Sequence, residues 1–148
     1  MKVTFVGHSK TIITNELKEK LYNTVVKLIE QGANEFYCGG YGKFDMLCAD
    51  TVKELKTKYP NIKSYLYLAY NDENTHNKLK ATNADKLYDG YIYPDIETVP
   101  LKFAISKRNE KMIDASDVVV AYVQHTFGGA YTTLNYAKKS NKTIIDVT

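Results

Sequence analysis

The chain has 148 residues, 44% of them hydrophobic and 25% charged, with a formal net charge of +3. That size supports one ordinary core rather than two, and no apolar run nears the roughly eighteen residues that a bilayer span requires. The small positive charge is spread among matching acids, which argues against direct nucleic-acid binding, where basic residues cluster on one face, yet suffices for a small anion.

From the amino terminus, Val3 to Gly7 is a nearly continuous apolar run and reads as a first strand. The preceding residues carry one lysine and the run meets a histidine and a serine at once, without a small-residue cleavage site, so a cytoplasmic location is expected. Asn15 to Glu30 places Leu17, Leu21, Val25, Leu28 and Ile29 at helical spacing and stops at Gly32. Glu35 to Cys38 is the second strand, followed by a helix from about Phe44 to Lys58 that Pro60 ends. Ile62 to Leu68 is a third strand, Asn71 to Asn74 a polar loop, and Thr75 to Leu87 a helix with a weaker pattern. Gly90 to Tyr93 is a short fourth strand. A long connection, Pro94 to Leu101, carries two prolines with Asp95 and Glu97; it reads either as a cover over a ligand or as an ordinary surface loop. Helix, strand, helix and strand then follow at Lys102 to Ala115, Asp117 to Tyr122, Gly129 to Lys139 and Thr143 to Val147.

Strands that are apolar throughout, rather than alternating, are those buried on both faces by helices above and below a parallel sheet. The expected fold is a single doubly wound, Rossmann-like α/β domain over residues 1–148, with a mainly parallel sheet flanked by helices. Right-handed crossovers put the loops after the first, second and fifth strands on one carboxyl edge, where such sheets bind ligands.

Four stretches carry chemistry. Gly7-His8-Ser9 ends the first strand; the glycine permits close approach or positive φ, and the serine hydroxyl suits phosphate or ribose oxygens. Thr11 and Thr14 serve equally as helix caps. Gly39-Gly40-Tyr41-Gly42 frees the backbone after the second strand to form an anion-binding concavity, and Asp45 there is either held by the helix dipole or an acceptor for ribose or base. Arg108, beside Asn109, offers a fork for carboxylate or phosphate; Asp114 lies six residues on, too far for an i,i+4 pair, which leaves the arginine for another partner. Gly128-Gly129, followed by Thr132 and Thr133, makes a second anion site at a strand-to-helix junction, or a simple tight turn with a cap.

Cys38 and Cys48 sit among apolar neighbours and read as reduced thiols. The histidines at 8, 76 and 125 are too scattered for a metal cluster, and no cofactor is implied. Neither a lysine-bearing phosphate loop nor a serine nucleophile elbow is present. Thirteen tyrosines serve as packing, as a base-stacking surface or as a subunit interface.

Taken in order, Gly39-Gly40-Tyr41-Gly42-Lys43-Phe44-Asp45, Lys107-Arg108-Asn109-Glu110-Lys111-Met112, Asp114 to Asp117, and Gly128-Gly129-Ala130-Tyr131-Thr132-Thr133 resemble the SLOG superfamily, specifically its small stand-alone YpsA-like members. The resemblance runs from about Val3 to Val147. It implies a Rossmann-like domain binding a nucleotide or nucleotide-derived ligand at the two glycine loops; the superfamily spans phosphoribohydrolases, a DNA-processing branch and sensor domains of bacterial defence systems. In the phosphoribohydrolase branch the second loop continues with glycine, threonine and a glutamate that supports N-glycosidic cleavage. Here those positions hold Tyr131, Thr132 and Asn135, and an amide cannot replace a carboxylate as acid, base or oxocarbenium-stabilising charge. Asp45, Asp95, Glu97 and Asp117 are the carboxylates available as substitutes, Asp45 first.

The leading expectation is therefore a binding module for a nucleoside phosphate or ADP-ribose-type signal through Gly7, His8, Ser9, Gly39, Gly40, Gly42, Asp45, Arg108, Asn109, Gly128, Gly129, Thr132 and Thr133. One alternative is an N-glycoside hydrolase of a nucleoside monophosphate with Asp45 orienting ribose or water. Another is a non-enzymatic homo-oligomeric interaction protein; a dimer or tetramer is compatible with all three.

Overall fold

A computed structural model describes residues 1–148. In chain order the elements are β1 (Lys2–Gly7), α1 (Asn15–Glu30), β2 (Glu35–Cys38), α2 (Lys43–Leu55), β3 (Lys63–Tyr67), α3 (Glu73–Ala81), β4 (Gly90–Ile92), α4 (Ala104–Asp114), β5 (Val118–Tyr122), α5 (Gly129–Lys139) and β6 (Thr143–Asp146). The six strands form one sheet in the order β4-β3-β2-β1-β5-β6, and every neighbouring pair is parallel. This is the α/β Rossmann-like arrangement that the unbroken apolar strands require.

Alternate side chains of β1 show why those strands are apolar throughout. Val3 and Phe5 pack with Leu21 and Val25 of α1 and with Cys48 and Val52 of α2, in the larger core. Val6 turns to the other face, with Val119 of β5, Ile113 of α4 and Ala137 of α5. The exception, Thr4, is fully buried and satisfies its hydroxyl by donating to the Tyr37 carbonyl at 2.9 Å. Cys38 and Cys48 are buried free thiols. No helix is long and apolar enough to cross a membrane.

Element boundaries shift where caps decide them. Thr14 caps α1 by accepting from the Leu17 amide at 3.1 Å. The third helix starts earlier than its apolar pattern implies, because Asp72 accepts from the Thr75 amide at 2.8 Å and draws Glu73 and Asn74 out of the expected polar loop. It also ends earlier, at Ala81: Asn83 adopts a left-handed φ of 56°, and Ala84–Lys86 winds separately as a short 3-10 turn. After Pro100, Leu101–Phe103 likewise forms a 3-10 turn, so α4 begins at Ala104 rather than Lys102. The second helix closes at Leu55, three residues short of the expected Lys58.

Candidate functional site

The strand order places β1 beside β5, while the helices that follow them leave toward opposite faces of the sheet. A crevice opens at the carboxyl ends of such a pair. A cavity of about 400 Å³ occupies it, walled by His8, Ser9 and Lys10 after β1, Tyr41 and Asp45 after β2, Ile105, Arg108 and Asn109 on α4, and His125 and Phe127 through Ala130 after β5. That volume matches a small-molecule site.

Arg108 forms the floor. It is only 6% exposed, and its Nη1 donates to the carbonyls of Gly39 at 2.9 Å and Tyr67 at 3.1 Å. The partner that the helix spacing leaves open for this arginine is supplied in part by the chain itself, at the ends of β2 and β3. Nε donates to Asn109 Oδ1 at 2.8 Å, Asn109 Nδ2 donates to Thr133 Oγ1 at 3.4 Å, and the Thr133 hydroxyl donates to the Gly129 carbonyl at 2.9 Å. A polar brace thus runs from β2 through α4 to the first turn of α5. Within it, Nη2 alone makes no hydrogen bond in the chain.

Asp45 sits in the first turn of α2, where Oδ2 accepts from the Tyr41 amide at 3.2 Å. Burial pushes its carboxyl up to about 6, opposed by that amide and by the Arg108 charge. The residue is only half-covered, but its carboxylate lies in the cavity wall against dense protein. The other suggested carboxylates are not there. Asp95 and Glu97 are absent from the cavity wall. Asp117 precedes β5 at the opposite, amino edge, where it accepts from the Lys2 amide at 2.8 Å.

The loop after β5 is pinned by a side chain from β1. His8 Nε2 accepts from the Gln124 amide at 3.1 Å and the His125 amide at 3.2 Å. Two donors on one ring nitrogen require the neutral imidazole with its proton on Nδ1, and burial followed by the His125 charge pushes its pKa below the ordinary histidine value. The His8 and His125 rings lie 4.3 Å apart, and His125 stacks on Phe127 at 5.1 Å with planes 13° apart. Beyond Phe127, the backbone N–H groups of Gly129, Ala130 and Tyr131 find no acceptor in the chain. Such an array at a helix start favours an anion.

The two glycine loops share a backbone but not surroundings. Gly42 and Gly128 cap α2 and α5 with φ, ψ of 94°, 173° and 90°, 177°, a region that only glycine enters freely. A Cβ on Gly42 would fall 2.4 Å from Ser9 Cα, whereas one on Gly128 would meet nothing within 4 Å. In addition, the Lys43 amide already donates to the Ser9 carbonyl at 3.0 Å. The first loop is filled by the chain itself, and the second stands open.

Of the residues picked out by pattern, Gly7, His8, Ser9, Asp45, Arg108, Asn109, Gly128, Gly129 and Thr133 line the cavity. Gly39, Gly40, Gly42 and Thr132 do not. Gly39 is roofed by Asp45 Oδ2 and Arg108, which a Cβ there would approach to 3.2 and 3.4 Å, and the Thr132 hydroxyl donates back to Gly128 at 3.1 Å. Thr11 is likewise committed, donating to the His8 carbonyl at 2.6 Å. The cavity adds Lys10, Tyr41, Ile105, His125 and Phe127. Phe127 abuts the glycine motif and was within reach of pattern; His125 was not, because its place depends on the loop folding back to His8.

A family model, YpsA, described as the YspA SLOG family, matches residues 7–146. The SPbeta prophage-derived protein YoqJ of Bacillus subtilis (strain 168) is 27% identical over 143 residues, an alignment that takes in 84% of this chain and 82% of that protein. Among solved structures, DNA processing protein A of Helicobacter pylori, described with a single-stranded DNA binding mode, superposes with a TM-score of 0.64 at 19% identity, over 99% of this chain and 64% of that one. The Streptococcus pneumoniae protein of the same name gives 0.64 at 14% identity, over 98% and 49%. At those identities the likeness is one of fold, and this chain spans less than two thirds of either structure's length.

Proposed function

The chain belongs to the YspA SLOG family, and from that premise and the form of its cavity we propose that it binds a nucleoside phosphate or ADP-ribose-type ligand. The observation that carries this reading is the pairing, in one cavity, of the unpartnered first-turn amides of Gly129 and Ala130 with a buried arginine whose Nη2 is unused. Oriented amides and a guanidinium together suit a phosphate better than either does alone. Lys10, exposed and at the rim, adds a third positive group.

Isothermal titration with AMP, cyclic AMP, ADP-ribose and plain adenosine tests it. Phosphate-bearing compounds bind, and Lys10→Glu weakens them roughly ten-fold while leaving adenosine unchanged. No binding by any member of the panel would overturn the reading.

A second reading has one specific observation behind it. A carboxyl raised to about 6 at the cavity wall is tuned for proton transfer near neutrality, and Asp45 is then the acid or base in hydrolysis of a nucleotide N-glycosidic bond. Release of free base and ribose 5-phosphate, abolished by Asp45→Asn, favours this reading; binding without release leaves the chain a ligand-binding module.

A further inference from the structure

Phe127 is 70% exposed, yet it is not a loose surface ring. One of its faces is covered by His125, whose ring in turn lies against His8, and His8 is bonded to the loop backbone through the Gln124 and His125 amides. Three rings thus form a ladder rooted at the end of β1. Its last rung presents a bare aromatic face at the mouth of the cavity. A bare aromatic face held in place in this way suits a planar apolar group.

The position of that face relative to the anion-suited amides limits what covers it. Phe127 is two residues before Gly129, a separation of about 7 Å at most along an extended chain. The ring and the amides are therefore near neighbours in the chain, close enough to serve the two ends of one nucleotide. Gly128, between them, has no atom within 4 Å of where a side chain would project, so the intervening space is clear for a ribose.

We infer that the open face of Phe127 is a stacking shelf for the base of a nucleoside 5′-phosphate whose phosphate lies at the first-turn amides of α5. The inference rests on the nucleotide-binding reading and adds to it the subsite and the source of base preference. A shelf without paired hydrogen-bonding groups recognises a π face rather than a base edge, so purines bind ahead of pyrimidines in order of ring area. Tyr41, 69% exposed, is a second aromatic residue on the same cavity wall.

The test is calorimetric titration of AMP, UMP and ribose 5-phosphate into the unchanged protein, Phe127→Ala and Phe127→Tyr, at neutral pH. Because Phe127 is exposed, both variants fold. Phe127→Ala weakens AMP about ten-fold or more, leaves ribose 5-phosphate as it was, and removes the margin of AMP over UMP; Phe127→Tyr restores both the AMP affinity and the margin. If Phe127→Ala leaves AMP unaffected, or weakens AMP and ribose 5-phosphate equally, the shelf is overturned while the phosphate site stands. If neither compound binds the unchanged protein, the nucleotide reading fails and takes the shelf with it.

Discussion

Asp45 and His8 each hold a protonation state that the fold biases, whereas Arg108 holds the fold through its hydrogen bonds. Asp45 binds its proton more tightly in the folded chain than in the unfolded one, since burial raises its carboxyl from 3.8 to about 6. Stability from this group therefore falls as pH rises through that window and is level above it. Asp45→Asn keeps an acceptor for the Tyr41 amide and removes the buried charge. It is expected to stabilise the protein by about 3 kcal/mol at neutral pH and by little below pH 4, as read from denaturant midpoints across pH. His8 has the opposite sign. The folded state resists its protonation, so its contribution is complete above the ordinary value of 6.5 and declines as pH drops below it. An NMR titration should give His8 a midpoint under 6.5, with the Gln124 and His125 amide resonances moving in step; independent movement would show that the clasp is not what holds the loop. Arg108 is different again, because its removal leaves two strand-end carbonyls and the Asn109 side-chain oxygen without their donor. Arg108→Met is expected to cost about 3 kcal/mol, which makes it a poor variant for dissecting ligand binding.

At the level of elements, the helix starts after β2 and β5 use one conformation for two purposes. Both need glycine for the backbone, so alanine at either position is strained by about 1–3 kcal/mol. Gly42→Ala adds a collision with Ser9 that Gly128→Ala lacks. The expected result is a clearly larger drop in denaturant midpoint for Gly42→Ala, whereas Gly128→Ala loses more affinity for phosphate-bearing ligands; equal losses of stability would show that the space around Gly42 can relax. The pattern of glycines cannot reveal this difference, because what distinguishes the loops is the approach of Ser9 from the turn after β1. The misread start of α3 has a similar origin. Asp72 acts through a single capping bond, and no apolar periodicity announces such a bond, while the strongly periodic α1 was legible to both of its ends.

For the whole molecule, the parallel sheet and the cavity at its carboxyl edge are readable because they follow from burial and handedness, which every strand reports. Nine residues singled out by pattern meet at the cavity: the loops and helix starts after central strands have few other places to be, and α4 brings Arg108 and Asn109 to them. What pattern could not supply was which groups are already in use. Arg108 is largely engaged, Thr132 and Gly42 are consumed by local structure, and the His8–His125–Phe127 ladder joins residues more than a hundred positions apart. Such pairings are properties of the packed chain, and a one-dimensional reading contains them only as scattered letters.

The cavity draws one wall from residues 5–10 and the facing wall from residues 125–133. Occupancy is therefore tied to completion of the sheet: a fragment released before β5 has docked against β1 possesses half a receptor and should retain no measurable grip. Conversely, any guest lodged there holds the two ends of the polypeptide together, so the melting temperature should climb with the logarithm of guest concentration once the site is saturated.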